Sequence, residues 1–286
     1  MNSIKYFFQF LIIFFLFMVF KVLGLNIASN LSSALLKVFG PLFRSKKLID
    51  QNILKAFPTI NHADLNKIRN NMWGNYGRIL SEYVFLKDFR QSESISNLEI
   101  IGQDILDEIK KDGKPVIFIS GHFSNFELMA MHIEKSGIEL AAIYRPLNNK
   151  FLNFIMEKIR KKYICKNQIK KGISGTKKLL SFFRKNTSIA LMIDQRVSEG
   201  IKSNFFKHKA YTTTIPAQFI KKFNCKVVPI HIERKNNFNF KLTVYDPIKY
   251  AQEDTIDSIT FKLNTFIDKM ILKNPEQWIW SHNRWK

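Results

Sequence analysis

The first apolar run of the chain is its longest and has no polar face. Residues Tyr6 to Phe20 carry no charge, and the run continues past Lys21 as far as Leu25. It is about as long as a membrane-spanning helix, and the lysine near its end can extend its ammonium group to the interface. A cleaved signal peptide has a shorter apolar region and a small-residue cleavage site, which Asn26 and Ala28 match poorly. The run therefore predicts an N-terminal helix that anchors the chain in a membrane.

A second apolar piece, Leu31 to Phe43, contains Gly40-Pro41 and several serines. It predicts an amphipathic segment that lies along the membrane interface rather than a second span. The basic residues that follow the first run outnumber the single Lys5 that precedes it. They are Lys21, Lys37, Arg44, Lys46 and Lys47. By the positive-inside rule, we expect the bulk of the chain on the cytoplasmic side of the membrane.

Beyond residue 47 the hydrophobic pattern becomes helical, and later it alternates between strands and helices. From 48 to about 90, apolar residues such as Leu65, Ile68 and Met72 recur at helical spacing. From about residue 97, short β-rich runs alternate with helical stretches. The β-rich runs are "LEIIG", "PVIFIS", "ELAAIY", "SIALMID", "KVVPIHIE" and "FKLTVYD", and the helical stretches lie near 103–112, 124–136, 148–161, 174–185, 214–224 and 256–273. This alternation predicts an α/β fold with a mostly parallel central sheet flanked by helices.

These patterns divide the chain into two expected parts. Residues 1–47 form the N-terminal membrane anchor and interfacial segment. Residues 48–286 form one domain, with a helical lead-in over 48–96 and an α/β core over 97–286. In such a core, sites form outside the carboxyl ends of the strands.

Charge and cysteine content narrow the functional classes only partly. The 286 residues include 45 Lys and Arg against 23 Asp and Glu, a net charge of +22 that favours an anionic partner such as an acidic protein, anionic lipid or nucleic acid. Lys, Asn, Ile and Phe are all frequent, so part of this charge reflects a general compositional skew. The two cysteines, Cys165 and Cys225, have no metal-like spacing and predict ordinary reduced thiols.

The candidate chemistry lies in "SGHFSNFE", which directly follows the apolar run "PVIFI". His122 and Glu127 form an H-x4-E pattern, in which the imidazole can take a proton from an alcohol and the carboxylate can orient the imidazole. The same letters have a structural interpretation, because Ser124 and Glu127 also match a helix-capping box and His122 can be an ordinary loop residue. A metal site that includes His132 is not expected, since nothing nearby completes a ligand set.

Five blocks of the sequence, in order over about residues 115 to 286, resemble the late lipid A biosynthesis acyltransferases, the lauroyl and myristoyl transferases of the H-x4-D/E membrane acyltransferases. The blocks are "GHFSNFE", "AIYRPLNN", "ALMIDQ", "NFFKHKAYTTTIPAQF" and "PEQWIWSHNRW". The apolar N-terminal run fits the same family. One departure is Lys207, where the family usually has glycine, and a loop of different shape is expected there.

The resemblance implies an enzyme of the bacterial inner membrane whose catalytic domain faces the cytoplasm. It would move a fatty acyl chain from a thioester, expected to be acyl carrier protein, to a hydroxyl of an anionic lipid A precursor. His122 would be the general base and Glu127 its orienting partner, with no covalent acyl-enzyme, metal or diffusible cofactor. The expected substrate-binding residues are Gly121, Asn125, Arg145, Asp194 and Gln195.

Two alternatives stay open at this point. The first keeps the chemistry but changes the acceptor to another phospholipid, glycolipid or aminolipid. The second is a membrane-anchored basic protein that binds lipid or nucleic acid without catalysis, although the chain has no basic-aromatic signature of RNA binding and nucleic acid is not an expected partner. Replacing His122 by alanine distinguishes the classes, because it should abolish the reaction of an acyltransferase and leave a binding protein intact.

Overall fold

The computed structural model describes residues 2–91, 98–236 and 238–286, so residues 92–97, where the predicted lead-in meets the predicted core, lie outside the description. The helices in the described residues are α1 Asn2–Phe39, α2 Lys46–Ala56, α3 His62–Glu82, α4 Leu86–Gln91, α5 Gln103–Asp112, α6 Glu127–Lys135, α7 Lys150–Tyr163, α8 Ile173–Arg184, α9 Ile215–Phe223 and α10 Ile256–Lys273. The strands are β1 Leu98–Ile101, β2 Ile117–Ser120, β3 Leu140–Tyr144, β4 Asn167–Lys170, β5 Ser188–Met192, β6 Ile201–Phe205, β7 His208–Thr212, β8 Val227–Asn236 and β9 Asn239–Val244. Short 3-10 turns cover Gly40–Leu42, Tyr83–Phe85 and Pro275–Gln277.

Seven strands form one sheet in the order β1-β9-β8-β2-β5-β3-β4, and every pairing except that of β8 with β9 is parallel. The α/β prediction is therefore confirmed. The central strand β2 is buried along its whole length, as its unbroken apolar run requires, because helices cover both faces of a parallel sheet. The sequence patterns did not predict β4 or the separate antiparallel hairpin of β6 and β7.

The N-terminal helix α1 extends further than the apolar run and is interrupted at Gly24, whose φ of 74° and ψ of 163° are not helical. In the described chain, one helical stretch, Ser3–Leu42, is long and apolar enough to cross a membrane. The piece predicted as a separate interfacial segment, Leu31 to Phe43, instead continues α1 as far as Phe39 and ends in a 3-10 turn. It still exposes apolar side chains, including those of Val38 and Phe43.

Small residues allow the second half of α1 to pack closely on α3. The Ser32 hydroxyl donates to the Gly77 carbonyl oxygen over 2.6 Å, and a Cβ added at Gly77 would lie 2.1 Å from the Ser32 carbonyl oxygen. Two helix backbones can approach this closely only where a side chain is missing. The contact attaches α1 to the helical lead-in of the domain.

The segment after α10 crosses the carboxyl end of the sheet. Trp278, Trp280 and Arg284 are the largest fully buried side chains among the described residues. Trp278 forms an isolated β-bridge with Phe123, and the Arg284 guanidinium donates to the Thr212 hydroxyl over 2.7 Å. The segment therefore covers the loop that follows β2.

Candidate active site

The register of two neighbouring strands brings His122 and Asp194 together. Strands β2 and β5 are parallel, and their last residues, Ser120 and Met192, are direct partners. His122 and Asp194 each follow two residues later, so they leave the same edge of the sheet side by side. The Nδ1 atom of His122 lies 2.9 Å from one Asp194 carboxylate oxygen. The site therefore forms at the carboxyl ends of the strands, where an α/β sheet places its sites.

Asp194 is completely buried and each of its carboxylate oxygens has a partner. One oxygen contacts the His122 ring, and the other accepts the His122 backbone N–H over 2.9 Å and the Trp278 indole N–H over 2.8 Å. Burial alone would raise the pKa of Asp194, but the nearby His122 and these hydrogen bonds lower it to about 2. An ionised Asp194 accepts a hydrogen bond from a protonated Nδ1. The other ring nitrogen of His122, Nε2, is then the one that can accept a proton.

The hydrogen bonds of Glu127 go to residues other than His122, and its predicted role as the orienting partner of His122 stays a prediction. The carboxylate of Glu127 accepts from the Tyr83 hydroxyl and from Arg160, whose Nη2 lies 2.6 Å away. The physical reason lies in the loop, because Ser124 turns the backbone through a φ of 44° and α6 begins only at Glu127. The capping-box interpretation is wrong, since Phe126 is the residue before the helix and makes no side-chain cap.

Glu127, Arg160 and Tyr83 form a buried cluster that joins the start of α6 to α7. Arg160 also donates to the Tyr83 hydroxyl over 2.9 Å. Burial opposes the charge of Arg160, but Glu127 and Tyr83 raise its pKa above its ordinary value. Burial raises the pKa of Tyr83, and the adjacent Glu127 raises it further. The arrangement holds α7 against the loop that carries His122.

Asn125 and Gly121, two of the predicted substrate-binding residues, help to hold the loop that carries His122. The Asn125 amide donates to a Glu82 carboxylate oxygen over 2.9 Å, and Glu82 in turn accepts from Arg234 over 2.6 Å, all three being buried. A Cβ added at Gly121 would lie 2.9 Å from the Phe123 ring and 3.2 Å from the Cβ atom of Asp194. The absence of a side chain at Gly121 thus lets His122 and Asp194 approach each other. The hydrogen bond from Asn125 to Glu82 fixes the position of the loop.

The other two predicted residues lie at the same edge of the sheet. Arg145 directly follows β3 and is exposed, and Gln195 follows Asp194 and is half-buried. Strand β3 pairs with β5, so both residues leave neighbouring strands on the side where His122 lies. Their side chains are placed where an anionic substrate group can reach them, and their role in binding stays a prediction.

The C-terminal block contributes to the site in a way that the sequence patterns did not predict. The Gln277 carbonyl oxygen accepts the Ser124 backbone N–H over 2.9 Å, and Trp278 donates to Asp194. His282 interacts electrostatically with Asp194 and His122, and burial lowers its pKa to about 4, so it is neutral at neutral pH. The signal was present in "PEQWIWSHNRW", but nothing in the sequence says which distant residues such a block contacts.

The arrangement suits general-base chemistry on a hydroxyl. Both thiols are buried, and burial raises the pKa of Cys165 and of Cys225 to about 12, which leaves them protonated and unreactive. No group of three or more His, Cys, Asp or Glu side chains within the described ranges is arranged to hold a metal ion. The His122 ring is 20% exposed, so its free nitrogen is accessible from solvent while its partner Asp194 is not.

Comparisons with known proteins agree on one family. The sequence profile described as bacterial lipid A biosynthesis acyltransferase matches residues 1–286. The chain is similar to the lipid A biosynthesis lauroyltransferase of Escherichia coli K12, with 22% identity over 85% of this chain and 79% of that protein. It is also 22% identical to the myristoyltransferase of the same organism, over 84% of this chain and 74% of that protein. A lipid A biosynthesis acyltransferase of Haemophilus influenzae Rd is 23% identical over 85% of this chain and 78% of its own length.

Proposed function

The chain belongs to the family of bacterial lipid A biosynthesis acyltransferases, and from this we propose that it moves a fatty acyl chain from acyl carrier protein to a hydroxyl of a lipid A precursor, with His122 as general base. The family makes it an O-acyltransferase that acts on lipid A in a membrane setting. The donor, the base and the side of the membrane are the proposed parts.

The observation that carries the mechanism is the pairing of His122 with buried Asp194 over 2.9 Å. The acceptor hydroxyl gives its proton to Nε2 of His122 while its oxygen attacks the thioester carbonyl carbon. Asp194 stabilises the imidazolium that forms. When the tetrahedral intermediate collapses, the carbon–sulfur bond breaks and the proton passes from Nε2 to the departing sulfur. The products are the ester and the free thiol, and no covalent acyl-enzyme is formed.

Two further residues of the site have proposed roles in binding. The exposed guanidinium of Arg145, at the end of β3, is suited to a phosphate group of the acceptor. Gln195 lies next to Asp194 and can donate to a substrate oxygen. Three backbone amides of the loop, those of His122, Phe123 and Ser124, already donate to other groups, so oxyanion stabilisation falls to donors outside these three.

The proposed donor and location rest on charge. A net charge of +22 favours an acidic carrier protein and a phosphorylated glycolipid. The apolar first half of α1 suits anchoring in the inner membrane, and the basic residues that follow it favour a cytoplasmic catalytic domain. A cytoplasmic domain is also where an acyl carrier protein is available.

The test is expression of the full-length chain in a bacterial strain that lacks its own late acyltransferases, followed by mass spectrometry of the extracted lipid A. Wild type should produce a species one acyl chain heavier, and His122→Ala should not. His62→Ala is the matched control, because His62 is exposed on α3. Membrane location and thermal unfolding of each variant are measured in parallel.

The outcomes separate the proposals. A heavier lipid A with His122→Ala would remove His122 as the base. Unchanged lipid A with folded, membrane-bound wild type would contradict lipid A as the acceptor, and the whole lipid extract would then be searched for another acylated acceptor. Replacing purified acyl carrier protein thioester by the coenzyme A thioester in vitro tests the donor, and equal kcat/KM for both would contradict the carrier protein as the preferred one.

A further inference from the structure

The basic residues of the chain are concentrated in one stretch. From Leu140 to Ile193 there are thirteen Lys and Arg residues and a single acidic residue, Glu157. This stretch forms β3, α7, β4, α8 and β5, and β4 is an outermost strand of the seven-stranded sheet. The Glu157 carboxylate accepts from the Asn153 amide over 2.7 Å and pairs with Lys170 over 3.1 Å. One end of the molecule is therefore almost uniformly positive.

The opposite end of the sheet carries a different balance of charge. Helix α5 follows β1, the other outermost strand, and packs beside β9. It exposes four acidic side chains and two lysines. The acidic residues are Asp104, Asp107, Glu108 and Asp112, and the lysines are Lys110 and Lys111. A general excess of lysine would make both ends positive, so composition alone does not account for this separation of charge.

The basic end adjoins the candidate active site along the carboxyl edge of the sheet. Lys170, the last residue of β4, pairs with Tyr144, the last residue of β3. Met192 and Ser120 are paired in the same way at the ends of β5 and β2. Because β3 and β5 are also neighbours, three strand spacings separate β4 from β2. At about 4.8 Å per spacing, β4 lies about 14 Å from the strand that leads to His122.

Four exposed lysines at this end form what we name the β4–α8 surface. They are Lys170, Lys171, Lys177 and Lys178. Helix α8 begins at the carboxyl edge because it follows β4, and Lys177 lies about 6 Å along the helix from its first residue. Among the described side chains of α8, the exposed ones are serine, threonine, lysine and arginine. The surface is therefore both basic and polar.

This polar character favours an acidic protein over lipid as the partner. Helices that bind lipid present apolar rings beside their lysines, as α7 does with the exposed Phe151 and Phe154. Helix α7 also contacts the apolar helix α1, where the Asn149 amide donates to the Tyr6 carbonyl oxygen over 2.7 Å. The crossovers through α7 and through α8 run in opposite directions across the sheet, so the right-handed rule places the two helices on opposite faces.

We infer that the β4–α8 surface is the docking site of the acyl carrier protein, an inference that rests on the proposed function for the identity of the donor. The carrier holds its thioester at the end of a long flexible arm, so its body binds at a distance from the reacting atoms. The four lysines bind the acidic body of the carrier. The arm then passes the ends of β3 and β5 to bring the thioester to His122.

Binding of purified acyl carrier protein to the full-length chain in detergent provides the first test. Lys177→Glu combined with Lys178→Glu should weaken binding by about ten-fold or more, because two attractive charges become repulsive. Lys110→Glu combined with Lys111→Glu is the matched control, since it makes the same change of charge at the opposite end of the sheet. This control should change Kd by less than about two-fold, because distant exposed charges are screened. Equal weakening by both pairs would show a response to net charge alone and would overturn the inference.

Cross-linking provides a second test that leaves most of the surface charge in place. A photoreactive maleimide is attached at Lys177→Cys or, as the control, at Lys111→Cys. The native thiols, Cys165 and Cys225, are buried and do not compete for the reagent. We expect purified carrier protein to be joined to position 177 and not to position 111. Joining at position 111 alone, or at neither position although wild type binds the carrier, would contradict the β4–α8 surface.

The donor and its docking site can be contradicted separately. Wild type that does not bind the carrier, and that uses the coenzyme A thioester equally well, would remove the carrier as donor and the docking site with it. Wild type that binds and uses the carrier, together with unchanged binding by the variant of Lys177 and Lys178, would overturn the docking site alone. An equal loss of acyl transfer by this variant from a short uncharged thioester would show damage to the active site and would also overturn it.

Discussion

Asp194 and Glu127 both lie close to the loop of His122, but they meet different partners, and this separates their expected roles. Asp194 contacts the imidazole itself, while Glu127 binds Arg160 and Tyr83. In the proposed mechanism the first carboxylate would act on the proton transfer, and the second would hold α7 in position relative to the loop.

We expect Asp194→Asn to lower kcat by about a hundred-fold or more with little change in KM, because the imidazolium loses its counter-charge and the tautomer is no longer fixed. Glu127→Gln should instead lower the free energy of unfolding by about 2 kcal/mol, because Arg160 stays buried without a full counter-charge. Steady-state kinetics with a thioester donor and thermal unfolding in detergent measure both effects. A Glu127→Gln protein of unchanged stability and hundred-fold lower kcat would return Glu127 to the catalytic role predicted from the sequence.

Asp268 on α10 gives a pH prediction that is independent of catalysis. Burial raises its pKa to about 7, although its carboxylate accepts the Phe206 backbone N–H over 3.0 Å and Arg284 opposes the shift. The native state therefore keeps a proton that the unfolded chain releases near pH 4, and stability is lost as the pH rises towards 7.

Replacing Asp268 by asparagine should remove this loss. Between about pH 5 and pH 8, the stability of Asp268→Asn relative to wild type should rise by on the order of 2 kcal/mol. Chemical denaturation at several pH values measures it, with Asp257→Asn as the control, because Asp257 is exposed on the same helix. A constant difference across this range would mean that Asp268 is ionised in the folded protein.

At the scale of residues, the sequence pattern placed His122 at the end of a strand but did not indicate that Asp194 lies beside it. A buried apolar run followed by "SGH" places His122 at the end of a strand from local information alone. Asp194 is 72 residues away, and its contact with His122 depends on which strand pairs with β2 and in which register. The local sequence pattern gives neither the partner strand nor the register, so it points to Glu127, a carboxylate close in sequence, and does not indicate the contact of His122 with Asp194.

At the scale of elements, the β6–β7 hairpin contains a strained turn. Phe206 and Lys207 are its two central residues and have φ angles of 49° and 62°. Such a turn requires positive φ at both positions, a conformation that favours glycine or asparagine over lysine. The positive φ at Lys207 is the conformation that glycine, the residue expected there from the family resemblance, adopts most easily, and the Lys207 side chain is exposed.

We expect Lys207→Gly to raise the free energy of unfolding by about 1 kcal/mol, because the left-handed backbone no longer opposes a Cβ atom. Lys209→Gly is the matched control, since Lys209 is also exposed but extended within β7, where glycine should destabilise the protein by about 0.5–1 kcal/mol. Denaturation curves of the two variants should shift in opposite directions. Destabilisation by both would argue that the Lys207 side chain makes a stabilising contact.

Most elements followed from periodicity, and those that did not are short or depend on distant partners. The predicted helices near 103–112 and 256–273 match α5 and α10. The four residues of β4, Asn167–Lys170, are mostly polar, so no alternation marks them as a strand. The strands β6 and β7 form because they pair across a turn. The sequence pattern did not indicate this turn, because its second central position is Lys207 rather than the glycine or asparagine typical of such turns.

At the scale of the whole molecule, the positive charge predicts how donor use responds to salt. If the donor is an acidic carrier protein, KM for that donor should rise several-fold between about 0.05 M and about 0.3 M salt, because screening shortens the reach of the protein's field. A short uncharged acyl thioester should show no comparable rise, and kcat should change little with either donor. A KM for the carrier protein that is independent of salt would argue against a charged docking surface.

The α/β class, the apolar N-terminal helix and the position of His122 at the end of a strand were predictable from the chain, because each depends on short-range pattern. The contact of α1 with α7 and the position of the C-terminal segment were not, because both join residues more than a hundred positions apart. These contacts decide how α1 and the loop that carries His122 are held.

The order in which the chain is synthesised decides when the contacts of Gln277 and Trp278 can form. The ribosome synthesises α1 first, whereas the segment that holds Ser124 and Asp194 is among the last described residues to emerge. Asp194 therefore lacks its indole partner for almost the whole of translation. The apolar helix is thus complete long before His122 and Asp194 are held in their final arrangement, so a chain that meets lipid during its synthesis would do so before its candidate site is assembled.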